Sequence, residues 1–259
     1  MEEQKENRGR EAELRVSLIV PVYNECGILP ETLSVLSAYM EETFGEAYEI
    51  LYADDGSTDG SAERIAEWKD PAVRVLRGER NRGKGNAVRR GMLAARGRIR
   101  VFTDCDLAYG AEAVGGIVQF LEAHPEADAA VGSRELHPHG YDGYGCLRRL
   151  LSRTYRSCLR ILGGLRLSDS QSGLKAFRAD AAERIFGMAE TDGYAFDFEA
   201  ILLGEKLGLV FAEYPARVVG NRPSHVRFFR DSLRMLRDIR RIRRRVRRLK
   251  TGEESAGET

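Results

Sequence analysis

The feature that most constrains this chain is an alternation. Between residue 16 and about residue 133, short apolar runs of strand length alternate with longer stretches whose apolar residues recur at spacings of three and four. Residues 16–22, 49–53, 73–76, 99–103 and 129–131 read as strands, and 31–43, 61–68, 86–95 and 111–123 as helices. Strand, helix and strand repeated in this way specify an α/β fold: a mostly parallel, twisted sheet with helices on both faces. Ligands of such sheets bind at the carboxyl ends of the strands, where strand order reverses. The polar clusters of this sequence stand at those ends: Tyr23-Asn24-Glu25, Asp54-Asp55-Gly56-Ser57 and Asp104-Cys105-Asp106.

After Ser133 the rhythm changes. Residues 137–145 are rich in Gly, His and Tyr and read as a loop, 147–162 as a basic helix, 171–178 as a short strand and 196–207 as a helix. The expected organisation is a polar N-terminal segment (1–15), a catalytic domain (16–225), a basic amphipathic helix (226–250) and a polar tail (251–259). Four cysteines at 26, 105, 146 and 158 form no C-x-x-C pair and have no metal-ligand spacing. No apolar run approaches the roughly 18–20 residues of a membrane span. With no apolar run after the charged start, no secretory signal is expected either.

Charge is unevenly shared. From Arg227 to Lys250 there are twelve basic residues against Asp231 and Asp238, a net +10 that leaves −9 for the rest of a chain whose total is +1. In the same segment Phe228, Phe229, Leu233, Leu236, Ile239, Ile242, Val246 and Leu249 recur at helical spacing. A basic amphipathic helix of this kind lies in the interface of an anionic membrane, or packs its stripe on the domain and leaves the arginines in water. An apolar stripe favours lipid over nucleic acid, and no nucleic-acid partner is expected.

Three clusters carry the chemistry. Asp104 and Asp106 stand two apart beyond a strand, a spacing that lets a short turn present two carboxylates to one Mg²⁺ or Mn²⁺ with substrate phosphates completing the shell. Residues 54–60 form a glycine-containing turn whose side chains either cap the following helix or bind a ribose or base edge. Gly78 to Gly85 nearly fits the phosphate-binding G-x-x-x-x-G-K-[ST], but Gly85 stands where the metal-binding hydroxyl belongs. A P-loop NTPase is therefore a rival. His137 and His139 lack a third ligand nearby and read as loop residues, and Cys105 carries no chemical role.

Together, Pro21-Val22-Tyr23-Asn24-Glu25, residues 54–60, Asn81-Arg82-Gly83-Lys84-Gly85-Asn86-Ala87, Asp104-Cys105-Asp106, Gly132-Ser133-Arg134, residues 169–175 and Phe196-Asp197-Phe198-Glu199 resemble the family 2 glycosyltransferases of GT-A fold. The resemblance is narrower still to the dolichyl- and polyprenyl-phosphate sugar synthases. It implies single displacement with inversion, from a nucleotide diphosphate sugar to a polyprenyl phosphate. It implies that Pro21, Tyr23, Glu25, Asp55 and Lys84 bind the nucleotide sugar, that Asp104 and Asp106 bind the metal, and that Arg134 contacts phosphate. Where some relatives have Gln two residues beyond the second metal carboxylate, this chain has Ala108. Lys175 and Arg227 are candidates for the acceptor phosphate; Asp169, Asp197 and Glu199 orient basic groups or the sugar. The expected site of action is the cytoplasmic face of a membrane, with peripheral attachment. A soluble or saccharide acceptor is the alternative.

Overall fold

Valine, isoleucine and leucine dominate the buried strands, and their stiff or bulky side chains suit a pleated surface covered on both sides. The computed structural model describes residues 14–141, 164–219 and 228–249, with side chains of the last segment described from residue 237 onward. Strands β1 (Val16–Val22), β2 (Tyr48–Asp54), β3 (Val73–Leu76), β4 (Ile99–Phe102), β5 (Ala129–Ser133), β6 (Lys175–Arg178) and β7 (Phe211–Pro215) form one sheet in the order β3-β2-β1-β4-β6-β5-β7. All neighbours are parallel except β6, which runs antiparallel to both β4 and β5. The chain moves outward from β1 through β2 to β3, then returns to the other side of β1 with β4. The reversal lies between β1 and β4, so the crevice expected of an open α/β sheet opens beyond Val22 and Phe102.

Helices α1 (Leu29–Phe44), α2 (Ser61–Ala66) and α4 (Glu112–Ala123) cover one face with a core that includes Leu18, Val20, Leu33, Met40 and Ile117. Helices α3 (Lys84–Ala94), α5 (Ala179–Met188), α6 (Phe196–Lys206) and α7 (Phe228–Arg248) cover the other, around Ile19, Leu51, Phe102, Phe177 and Phe198. Adjacent β1 residues thus serve opposite cores, as a two-residue period demands.

The expected strands and helices up to residue 133 are all present, with ends shifted by one or two residues. Two elements escaped the sequence pattern. Helix α5 directly follows β6 with no break in the chain, and its buried face is limited to Ala181, Ala182, Ile185 and Phe186. Strand β7 is a half-buried edge strand ending at Pro215, with little of the apolar enrichment that marks a central strand. The expected helix 147–162 and Arg227 lie outside the described residues.

The last helix corrects an expectation. Ile239, Ile242 and Val246 are not presented to a membrane; they are buried in the second core, where α7 packs on α6. Arg237, Arg240, Arg241, Arg244, Arg247 and Arg248 occupy the exposed side. Burial of this part of the stripe removes apolar area from water permanently, which a reversible membrane contact does not do. Among the described residues, no helix is long and apolar enough to cross a membrane.

Candidate active site

The site is assembled from loops at the carboxyl ends of β1, β2 and β4, and each loop is held by its neighbours. After β1, Asn24 takes a left-handed conformation, φ 56°. Its amide donates to Ser57 Oγ at 2.9 Å and its side-chain oxygen accepts from the Thr58 amide at 2.8 Å. The Glu25 amide donates to Ser61 Oγ and the Cys26 amide to Asp59, both at 2.9 Å. The first polar cluster is therefore tied to the second. Pro21 is half-buried in β1, and Tyr23, at 44% exposure, presents an open ring at the rim of the crevice beside Glu25.

Asp54 and Asp55 are both buried and both consumed in shaping the turn. Asp54 accepts from the amides of Gly56 and Ser57 at 3.1 and 3.2 Å. Asp55 accepts from the amides of Arg82 and Gly83 at 3.1 and 2.7 Å. Burial pushes the Asp55 carboxyl above its ordinary range, and the two amides pull against that shift. Gly56, at φ 77°, lies so close to the Arg80 backbone that any side chain would collide with it. Asp55 thus fastens the glycine-rich loop, whatever edge of it remains for a nucleoside.

That loop is not a phosphate cradle. A P-loop needs free amides converging on an anion. Here the Arg82 and Gly83 amides are taken by Asp55, and the Asn86 amide donates to the carbonyls of Gly83 and Asp192 at 3.0 and 3.2 Å. Gly83 and Gly85 are small because the backbone of 191–193 presses on them. Asp192, which sequence reasoning passed over, ties this contact together: it accepts from Arg82 at 3.2 Å, Arg89 at 2.8 Å and Asn86 at 3.2 Å. The Thr191-Asp192-Gly193 turn before a helix was the one available hint.

Lys84 begins α3, and its ammonium donates to Asp104. Burial alone would lower the Lys84 pKa, but Asp104 and then Asp197 outweigh it and the ammonium is held charged. Asp104 is 30% exposed along its side chain, and its other oxygen abuts Gly173, where a Cβ would overlap it. Asp106 is half-buried and accepts from the Ala108 amide at 3.0 Å. Cys105, between them, turns into the first core, and burial pushes its thiol up to about 12, so it stays protonated and inert. Two partly exposed carboxylates with no soft ligand suit a hard dication that takes its remaining oxygens from substrate and water. Among the described residues, no group of three or more acidic, His or Cys side chains is placed to hold a metal ion.

The second half of the site consists of buried ion pairs. Arg134 and Asp169 form a two-pronged pair at 2.6 and 2.8 Å, with Asp169 fully buried. Lys175 Nζ donates to Asp197 and to the Ser172 carbonyl, both at 2.6 Å, and is also fully buried. Burial pushes Lys175 down and Asp197 up, while each partner's charge opposes the shift. Glu199 accepts from Arg245 at 2.8 Å and from the amides of Glu190 and Thr191 at 3.0 and 2.7 Å. The expectation that Asp169, Asp197 and Glu199 orient basic groups describes these contacts. Lys175, expected to meet the acceptor phosphate, is fully buried here and donates to two protein acceptors, so this structure does not present its ammonium to an incoming lipid. Arg134 keeps a little exposed surface and stacks over Tyr141, with the guanidinium 5.8 Å from the ring centre. His137 and His139 bond to each other's segment, the His139 amide donating to His137 Nδ1 at 3.0 Å.

Most of the chain resembles known proteins. Residues 17–186 match the family described as Glycosyl transferase family 2. A dolichyl-phosphate beta-glucosyltransferase of Dictyostelium discoideum is 31% identical over 223 residues, 80% of this chain and 67% of that protein. An undecaprenyl-phosphate mannosyltransferase of Micrococcus luteus is 31% identical over 214 residues, 80% of this chain and 84% of that protein. The chain spans about two thirds of the length of the dolichyl-phosphate glucosyltransferases it matches. Among solved structures, mannosyl-3-phosphoglycerate synthase from Rubrobacter xylanophilus superposes with a TM-score of 0.65 at 20% identity, covering 98% of this chain and 79% of that one. Glucosyl-3-phosphoglycerate synthase from Mycobacterium tuberculosis, crystallised with Mn²⁺, uridine-diphosphate-glucose and phosphoglyceric acid, superposes with a TM-score of 0.63 at 21% identity over 96% of this chain and 85% of that one. At that identity the likeness establishes the GT-A fold. The chain belongs to glycosyl transferase family 2.

Proposed function

We propose that this glycosyltransferase moves a sugar from a nucleotide diphosphate sugar to a polyprenyl phosphate, with inversion, at the cytoplasmic surface of a membrane. The observation that carries it is the Asp104-Cys105-Asp106 turn at the strand switch point, two oxygen donors beside the Lys84 ammonium. The lipid-phosphate names of the relatives at about 30% identity set the acceptor class. Asp104 and Asp106 would hold Mg²⁺ or Mn²⁺, which supplies positive charge to a departing nucleoside diphosphate. Tyr23, Pro21 and Glu25 line the nucleoside end, while Asp55 keeps the loop of residues 81–83 in place below it. Lys84 and Arg134, the latter fixed by Asp169, are the cations that would meet the donor and acceptor phosphates in this reading. An acceptor phosphate is anionic at neutral pH and needs no strong base, so the chain's task is positioning and charge stabilisation.

Attachment to the membrane falls to the outer face of α7. Its exposed arginines offer positive charge without apolar insertion, because the described part of the stripe is spent on the core. Each basic residue near an anionic leaflet contributes on the order of 1 kcal/mol, and the cytoplasmic leaflet carries that negative potential. The test is a panel of radiolabelled nucleotide sugars given to the protein with polyprenyl phosphate in anionic vesicles. Label from one donor is expected in the lipid extract, and vesicle flotation is expected at low salt and lost at high salt. Transfer to water-soluble acceptors with none to lipid would overturn the acceptor; no flotation at low salt would overturn the docking face.

A further inference from the structure

The Lys84 ammonium sits on the same carboxylate that the proposed metal requires. Asp104 is confined on both sides, by Lys84 on one oxygen and by the Gly173 backbone at the other. It cannot swing away to receive a cation without breaking the ion pair. Lys84 is equally constrained at its root. It opens α3 immediately after Gly83, whose φ is 118°, whose amide is held by Asp55 and whose Cα faces the Asp192 carbonyl. Only the flexible end of the lysine side chain is free to move. Asp197, itself paired with Lys175, adds its negative charge to the field that holds the ammonium.

A dication about 2.0–2.1 Å from Asp104 would add two positive charges beside the ammonium already paired with that carboxylate, so the resident ion pair opposes its binding. A diphosphate removes the conflict, because its oxygens accept from a lysine and bridge to a metal at once. We propose that Lys84 is a built-in counter-ion that blocks divalent-cation binding at Asp104 until a nucleoside diphosphate group draws it off, so that metal and donor bind as a coupled pair. This rests on the assignment of Asp104 as a metal ligand. Its consequence is that donor-free protein leaves Mg²⁺ and Mn²⁺ largely unbound, and that each ligand raises the affinity for the other by the same factor.

The experiment titrates Mn²⁺ into the full chain and follows the free-ion electron paramagnetic resonance signal, alone, with UDP and with GDP. Wild-type protein is expected to bind Mn²⁺ weakly alone and at least tenfold more tightly with one of the two nucleotides. Lys84→Gln should bind Mn²⁺ alone at least tenfold more tightly than wild type, and the further gain on adding nucleotide should be smaller than the gain in wild type. Lys84→Arg keeps the charge and should stay weak. Lys84→Gln no tighter than wild type, or Lys84→Arg as tight as Lys84→Gln, would overturn the proposal while leaving the metal assignment standing. Asp104→Asn separates the two ideas: nucleotide-coupled Mn²⁺ binding undiminished in this variant would overturn the metal assignment and the counter-ion with it.

Discussion

The two halves of the site use carboxylates differently. In the loops after β1, β2 and β4, Asp54, Asp55, Asp59 and Asp106 accept from backbone amides. In the second half, Asp169, Asp197, Glu199 and Asp192 accept from Arg134, Lys175, Arg245 and Arg89. Amide-bound carboxylates shape turns and leave the crevice short of local positive charge. Cation-bound ones are neutralised by their partners, Asp169, Asp197 and Glu199 in the interior and Asp192 nearer the surface. The exception is Asp104, a first-half carboxylate with a second-half style of partner in Lys84. It is also the one expected to exchange that partner during the catalytic cycle. Sequence motifs rich in Asp thus divide into those that build the loop, those that neutralise the core and those left to act.

The sharpest way to break this comparison is to remove the acting carboxylates. Asp104→Asn and Asp106→Asn should each cut turnover by two or more orders of magnitude, since charge stabilisation at a leaving group is commonly worth about 10²–10³ in rate. Urea unfolding should change little, because both side chains are partly exposed and away from the apolar cores. Wild-type rates in both variants, or unfolding of both, would place Asp104 and Asp106 among the structural carboxylates instead.

The next largest effect is on stability. Asp197→Ala leaves the fully buried Lys175 ammonium with the Ser172 carbonyl and the face of Phe102 but no carboxylate bonded to it. Breaking a buried pair from one side costs about 3–5 kcal/mol, whereas removing both charges together is often nearly neutral. Asp197→Ala should therefore unfold at much lower urea, and Asp197→Ala with Lys175→Met should recover most of the loss. A small effect in the single variant would mean that Lys175 is not the confined ion the geometry describes.

Much of this was legible in the sequence. The first five strands and four helices follow from apolar periodicity, and the DxD turn, residues 54–60 and residues 81–87 all fall in the segments after strands, as their composition demands. What the sequence hid were the pairings. Nothing local says that Asp192 will brace Gly83 and Arg89, more than a hundred residues earlier, or that Lys175 will be dehydrated by α6. Lys175 read as a candidate for the acceptor phosphate because a lysine in a polar motif is ordinarily solvated. Strand β6 carries it inward between β4 and β5, antiparallel to both, and that reversal belongs to sheet topology alone.

Helix α7 tests the same division on the surface of the fold. Ile242→Ala should cost about 2–5 kcal/mol, as expected for a buried large-to-small change. Arg244→Glu, on the exposed side, should stay within about 0.5 kcal/mol of wild type while weakening vesicle binding. The reverse ranking in urea titrations would return the stripe to the membrane and detach α7 from the catalytic core.

The smallest effect belongs to Asp59, an exposed first-half carboxylate. Burial acts to raise its pKa, but the Ser61 hydroxyl, at 2.6 Å, and the Cys26 and Ser61 amides, at 2.9 and 3.0 Å, outweigh that and hold the carboxyl below its ordinary range. A carboxylate whose folded pKa is depressed stabilises the fold above its unfolded value of about 3.9, and that contribution is lost as pH falls through the folded pKa. In that window the unfolded chain binds more protons, so stability rises with pH. The interaction is solvent-screened, and a net hydrogen-bond contribution of about 0.5–1.5 kcal/mol bounds it. Asp59→Ala should therefore lower stability modestly at pH 7, and the gap to wild type should narrow as urea titrations are repeated towards pH 2.5. An unchanging gap would show that Asp59 acts through packing rather than charge. A loss as large as that of Asp197→Ala would erase the distinction between carboxylates that shape a loop and carboxylates that neutralise the core.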